Sequence, residues 1–108
     1  MTVRANSFRS GIKVVATAGT RVQLGDTTVN PATIAGTVVV QALSTNTGAV
    51  TIGDAGVVAA VGTQGTPTQR GLRLTAGQSQ AFDVLDIGAL WLDCATSGDG
   101  VTWLAGAS

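Results

Sequence analysis

Residues 71–105 read GLRLTAGQSQAFDVLDIGALWLDCATSGDGVTWLA. Short runs of alternating apolar and polar residues, 71–75, 80–86, 89–95 and 101–105, are separated by Ala76-Gly77 and by Ser97-Gly98-Asp99-Gly100. Period-two alternation between Gly- and Asp-containing turns is the pattern of half-buried β-strands. With a tight turn at 97–100, the last two runs form a hairpin in which Thr96 faces Val101 and Cys94 faces Trp103. One face then carries Leu90, Leu92, Cys94, Val101, Trp103 and Ala105, and its uniform apolarity assigns it to the core. The other carries Trp91, Asp93, Ala95, Thr102 and Leu104, which leaves Trp91 and Leu104 outward beside Asp93.

Working outward, the same pattern recurs at 11–17, 20–24, 36–43, 49–53 and 57–61, with a turn at Ala18-Gly19 and another over Thr45-Asn46-Thr47-Gly48. Gly interrupts nearly every amphipathic helical window. The expected fold is therefore all-β: an antiparallel β-sandwich of about eight short strands, with jelly-roll winding among the forms it allows. Residues 25–35 and 62–70, each with one of the two prolines, read as loops. Residues 1–10 read as an extended N-terminal arm and 11–108 as a single sandwich domain. Thr-Ala-Gly occurs at 17–19 and 75–77, which we read as one turn solution used twice rather than as a duplication.

The composition narrows the function. The 108 residues include no His, no Glu, no Tyr and one Cys. A Ser-His-Asp or Cys-His triad, a His-bearing zinc site and an intrachain disulfide framework are thereby excluded. Of the six Asp, Asp83 and Asp86 are three apart and point to opposite faces of a strand, and nothing forces Asp86 towards Asp93. No acid spacing matches a calcium loop and no glycine-rich phosphate loop occurs. The expectation is a protein that is not an enzyme and carries no metal or cofactor. Cys94, in a strand, is expected to be buried and inert. No continuous apolar run reaches the length of a signal peptide's core or a membrane span.

Charged residues are 11% of the chain, against about 25% in ordinary soluble domains. Six basic and six acidic residues cancel, which argues against a nucleic-acid partner. So few charges protect a lone subunit poorly from association, so either hydroxyls and amides keep a Thr- and Gly-rich domain soluble, or a homo-oligomer or other neighbours cover its surface. The charges are also segregated: Arg4, Arg9, Lys13 and Arg21 lie in the first 21 residues with no acid, while Asp83, Asp86, Asp93 and Asp99 close the chain. These ends can pair within one molecule or, head to tail, between molecules. Candidate contact residues are Arg4, Phe8 and Arg9 on the arm and the outward Trp91 with Asp93. A sugar platform built on Trp91 and Asp93 is the alternative use of the same pair.

VVVQALSTNTGAVTIGD (38–54) resembles a segment recurring in small structural proteins of tailed bacteriophages, where V-x-x-x-AL-x-TNTG-x-V-x-IG forms a hairpin near the centre of a β-sandwich. The stretch 71–105 is similar to the companion segment, with an F-D-V-x-D-[LI] strand, a [LI]-W-[LV]-D strand and a Gly-containing hairpin. Together the two cover about half the chain, and their residues serve turns and packing rather than catalysis. The resemblance implies a head decoration (cement) protein, which binds the major capsid protein on the capsid exterior of the virion, often as a trimer, and stabilises the shell. The ten-residue arm is short for bridging capsomers, which keeps a head-fibre or tail-adaptor component as the alternative.

Overall fold

Alternation along each strand decides which side chains turn inward, and the pairing of strands decides what they meet. The computed structural model describes residues 7–25 and 33–107. Its strands are β1 (Ser7–Val14), β2 (Val22–Gln23), β3 (Thr33–Ala42), β4 (Val50–Gly53), β5 (Gly62–Thr63), β6 (Thr66–Pro67), β7 (Leu72–Leu74), β8 (Ser79–Asp86), β9 (Trp91–Cys94) and β10 (Gly100–Ala107). A single turn of 3-10 helix covers Ile87–Ala89.

The pairing is nested. β1 pairs with β10, β2 with β9, β3 with β8, β4 with β7 and β5 with β6, every pair antiparallel. The chain is thus one long ribbon folded at its middle, with β5–β6 at the tip. The ribbon wraps so that β10 also pairs with β3 and β9 with β4. Two four-stranded sheets result, one ordered β1-β10-β3-β8 and the other β2-β9-β4-β7. This nested, two-layer winding is a jelly roll, and the expected antiparallel sandwich is realised in that form.

Between the sheets lies the core: Val15, Val38, Val40, Val50, Ile52, Leu92, Cys94, Val101 and Trp103 are all buried. Trp103, one of four aromatic residues, is 2% exposed. A buried ring of that size withdraws roughly 200 Å² from water and is the largest single hydrophobic contribution here.

Several expectations need correction. The hairpin over 97–100 does not form, because β9 and β10 lie in opposite sheets and residues 95–99 carry the chain from one to the other. The predicted core face nevertheless survives, since Leu90, Leu92, Cys94, Val101, Trp103 and Ala105 are all buried. In a crossing between layers the apolar sides of the two strands face each other through the core, so the same residues turn inward as in a hairpin. Ser7–Ser10, expected within the arm, extend β1 from Ser7↔Ala107 to Ser10↔Leu104, so Phe8 and Arg9 belong to a strand. Residues 57–61 form no strand beyond a single bridge between Val58 and Arg70. The 62–70 loop contains the β5–β6 hairpin.

Four crossings between the sheets lie at one end, residues 75–78 from β7 to β8 among them, and the other three are tied together. Residues 15–21 lead from β1 to β2, 43–49 from β3 to β4, and 95–99 from β9 to β10. Buried Asp99 ties two of them: Oδ1 accepts from Thr47 N at 2.9 Å and Oδ2 from Gly48 N at 2.7 Å. The Asn46 side chain exchanges two 2.9 Å bonds with the backbone of Gly100. The third crossing joins through Val15 N to Asp99 O and Gly98 N to Val15 O. Gly100 leaves no room for a side chain, for a Cβ there would lie 2.3 Å from Lys13 O. The two Thr-Ala-Gly turns match: Thr20 N bonds Thr17 O and Gln78 N bonds Thr75 O, with φ of 83° at Gly19 and 84° at Gly77. Positive φ only at the third residue makes both type II turns.

Candidate interaction faces

Each sheet has one face turned away from the core, and the two outer faces differ in chemistry. On the first sheet, register aligns Ser10, Leu104, Val39 and Ala81 in one row across β1, β10, β3 and β8. The next row holds Ile12, Thr102, Gln41 and Ser79. Neither row carries a charge. Ile12 is 58% exposed, Leu104 49% and Val14 41%. A shallow groove of about 320 Å³ runs along this face, lined by Ser10, Val39, Gln41, Thr102 and Leu104. Asp83 lies at the β8 border, where its Oδ1 accepts from Thr37 Oγ1 at 2.8 Å.

The outer face of the second sheet is covered from within. Residues 54–61 cross it, with Val57 and Ala59 buried. The alternation at 57–61 is therefore real, but it serves packing on the outside of a sheet rather than strand pairing. Asp93 anchors this cover and is 3% exposed. Its Oδ2 accepts from Ala59 N at 2.9 Å, and its Oδ1 accepts from Gly19 N at 3.1 Å and Cys94 N at 2.9 Å. Beside this brace lies a cup of about 420 Å³ walled by Ala18, Val58, Ala60 and Ala95, with Arg21 at its rim. Arg21 Nη1 donates to Ala55 O at 2.7 Å.

The sequence-derived contact residues are dispersed. Arg4 lies outside the described residues. Phe8 and Arg9 stand on β1, an edge strand of the first sheet, opposite Gly106 and Ala105. Trp91 is half-buried on the outer face of the second sheet, aligned with Gln23 and Gly53. Trp91 and Leu104, expected side by side, thus lie on opposite outer faces, because their strands belong to different sheets. Asp93 is outward of its sheet but covered, and both its oxygens are taken within its own subunit. No platform of Trp91 with a free Asp93 carboxylate exists to hold a sugar.

Ile12, Val14 and Val39 escaped the sequence reading. Their signal was present: runs such as Ile12-Lys13-Val14-Val15 and Val38-Val39-Val40 supply apolar residues to both sides of a strand, where one buried side needs only alternate positions. Among the described residues, no three His, Cys, Asp or Glu side chains converge as a metal site would require. No helix there is long and apolar enough to cross a membrane. Cys94 is buried, and that burial, followed by the charges of Asp99 and Asp93, pushes its thiol up to about 12. It is a core side chain, far from the reactive thiolate range at neutral pH.

No protein-family model, curated protein or solved structure matches the chain.

Proposed function

We propose that this chain is a structural protein of a tailed-bacteriophage virion, a decoration (cement) subunit that binds the major capsid protein on the outer head surface. The observation that carries the reading is the uncharged outer face of the first sheet, where Ile12, Val14 and Leu104 stand exposed in rows without charge. Exposed apolar area gathered on one sheet face marks a contact with another molecule. The resemblance of 38–54 and 71–105 to phage structural segments supplies the kind of neighbour, and the joining of those two segments through Asn46, Thr47, Gly48, Asp99 and Gly100 gives their turn residues a shared structural task. A subunit that binds only the assembled shell stabilises it by its binding free energy at every equivalent site. Homo-oligomerisation, as a trimer by the resemblance, belongs to the same reading.

Co-sedimentation with purified expanded capsids tests it. The protein is expected to pellet with capsids, to saturate at a fixed ratio to the major capsid protein and to raise their melting temperature. Absence from the pellet at every salt concentration, or glycan-array binding lost in Trp91→Ala, would replace this reading with a tail component or a sugar-binding module.

A further inference from the structure

We infer that the outer face of the β1-β10-β3-β8 sheet is covered by a second copy of this chain, packed face to face about a two-fold axis. The inference goes beyond the reading above: with a second copy on this face, a capsid contact falls to the rest of the subunit.

Charge is the first argument. In a two-fold contact, a charge close to the axis lies near its identical copy. The two central rows, Ser10-Leu104-Val39-Ala81 and Ile12-Thr102-Gln41-Ser79, contain none, and Asp83 lies at the β8 border. The polar groups point the same way. The Ser10 and Ser79 hydroxyls hold both donor and acceptor, and the Gln41 amide, whose Nε2 donates to Gly77 O at 3.1 Å, keeps a second N–H and its carbonyl oxygen. Thr102 Oγ1 donates to Gly11 O at 3.2 Å and keeps acceptor capacity, so the face offers both kinds of group to a like surface, which a row of carboxylates or ammonium groups cannot. Shape is the third argument. Isologous contact requires that one patch offer both projection and recess. Ile12 and Val14 project along the β1 side, and the groove lined by Val39, Gln41 and Thr102 lies beside them. Area is the last. Four strands about 4.8 Å apart and about 26 Å long present about 500 Å² per copy, or about 1,000 Å² for the pair. That meets the lower bound for a specific interface, the size range of weak and transient contacts. Such pairing closes at two copies, where the phage resemblance implies trimers.

Sedimentation velocity of the full chain, over loading concentrations of about 1 to 200 μM and at low and high salt, tests the inference. The expected result is a monomer–dimer equilibrium that high salt leaves unchanged or tightens, since no ion pair holds it. Leu104→Asp and, separately, Ile12→Asp are expected to weaken the dimer by about 100-fold or more through like charges facing each other. Should either aspartate variant lose its native circular dichroism, the double variant Ile12→Thr/Leu104→Thr keeps strand-compatible residues and is expected to weaken the dimer as well. Leu72→Asp, at an exposed position in the other sheet, is expected to leave it intact. A wild-type monomer throughout, a trimer, or a dimer indifferent to the changes at 12 and 104 overturns the inference. Capsid pelleting separates it from the broader reading: a dimer that ignores capsids sinks the virion assignment alone, and a monomer that pellets with them sinks the pairing alone.

Discussion

Asp93 and Cys94 are neighbours in sequence, and burial gives them opposite kinds of work. The Asp93 carboxylate is desolvated but accepts three backbone N–H groups, from Gly19, Ala59 and Cys94, and so pins two surface segments onto the second sheet. Charge-assisted bonds of this kind are stronger than neutral ones, which is why a carboxylate can be kept there. Cys94 turns inward with nothing to stabilise a thiolate, and two nearby carboxylates raise its pKa further. The native thiol is expected to resist a thiol reagent at pH 8 and to react fully once guanidinium unfolds the chain. The sign of the linkage follows from a pKa raised in the folded state to about 12 from 9.0. Its contribution is complete below pH 9 and is lost as the pH rises towards 12, because only the unfolded chain ionises early. A flat stability profile from pH 9 to 11 in urea titrations contradicts this.

The crossings between sheets, more than the strands, hold the winding in place at the element scale. Four of them lie at one end, and three of these are stitched together by Asp99, Asn46 and the backbone of Val15, Gly98 and Gly100. Without Asp99 the N–H groups of Thr47 and Gly48 lose their acceptor in a partly buried setting. Asp99→Ala is expected to cost about 2–4 kcal/mol, two charge-assisted bonds' worth, and Asp99→Asn less because one acceptor remains. Urea denaturation with an unchanged m-value checks it, and a cost within about 0.5 kcal/mol of zero would show the crossings to be independent of this carboxylate. The β5–β6 tip, by contrast, is exposed throughout. The acidic end of the chain also finds a physical use here. The nested ribbon lays β1 and β2 against β10 and β9, and two of the four late acids, Asp93 and Asp99, are spent on backbone N–H groups inside the subunit.

At the scale of the whole molecule, nesting makes most strand pairings long-range. The outermost pair joins Ser7 to Ala107, so the first sheet closes only when nearly the full chain has come together. Long-range pairing requires loop closure before contacts reward it, which slows folding. Refolding followed by the fluorescence of Trp103, the buried ring in β10, is expected on the millisecond-to-second scale. A sub-millisecond single phase would contradict nesting as the rate-limiting feature. Among the described residues, one outer face is roofed by the 54–61 segment and the other has no such cover.

Period-two alternation alone determined the fold class, most strand positions, the inward side of β9 and β10 and the burial of Cys94, because those properties depend on residues within a few positions of one another. It also supported the Thr-Ala-Gly turns, whose geometry is local. Which strands become neighbours depends on closing loops of up to the whole chain, and alternation is silent on that: Cys94 and Trp103 turn inward whether β9 and β10 share a sheet or face each other across the core. The tertiary structure therefore decided the crossing at 95–99, the separation of Trp91 from Leu104 and the roof over Asp93. It also gathered Ile12, Val39 and Leu104, which are distant along the chain, into one uncharged surface through register across three strands.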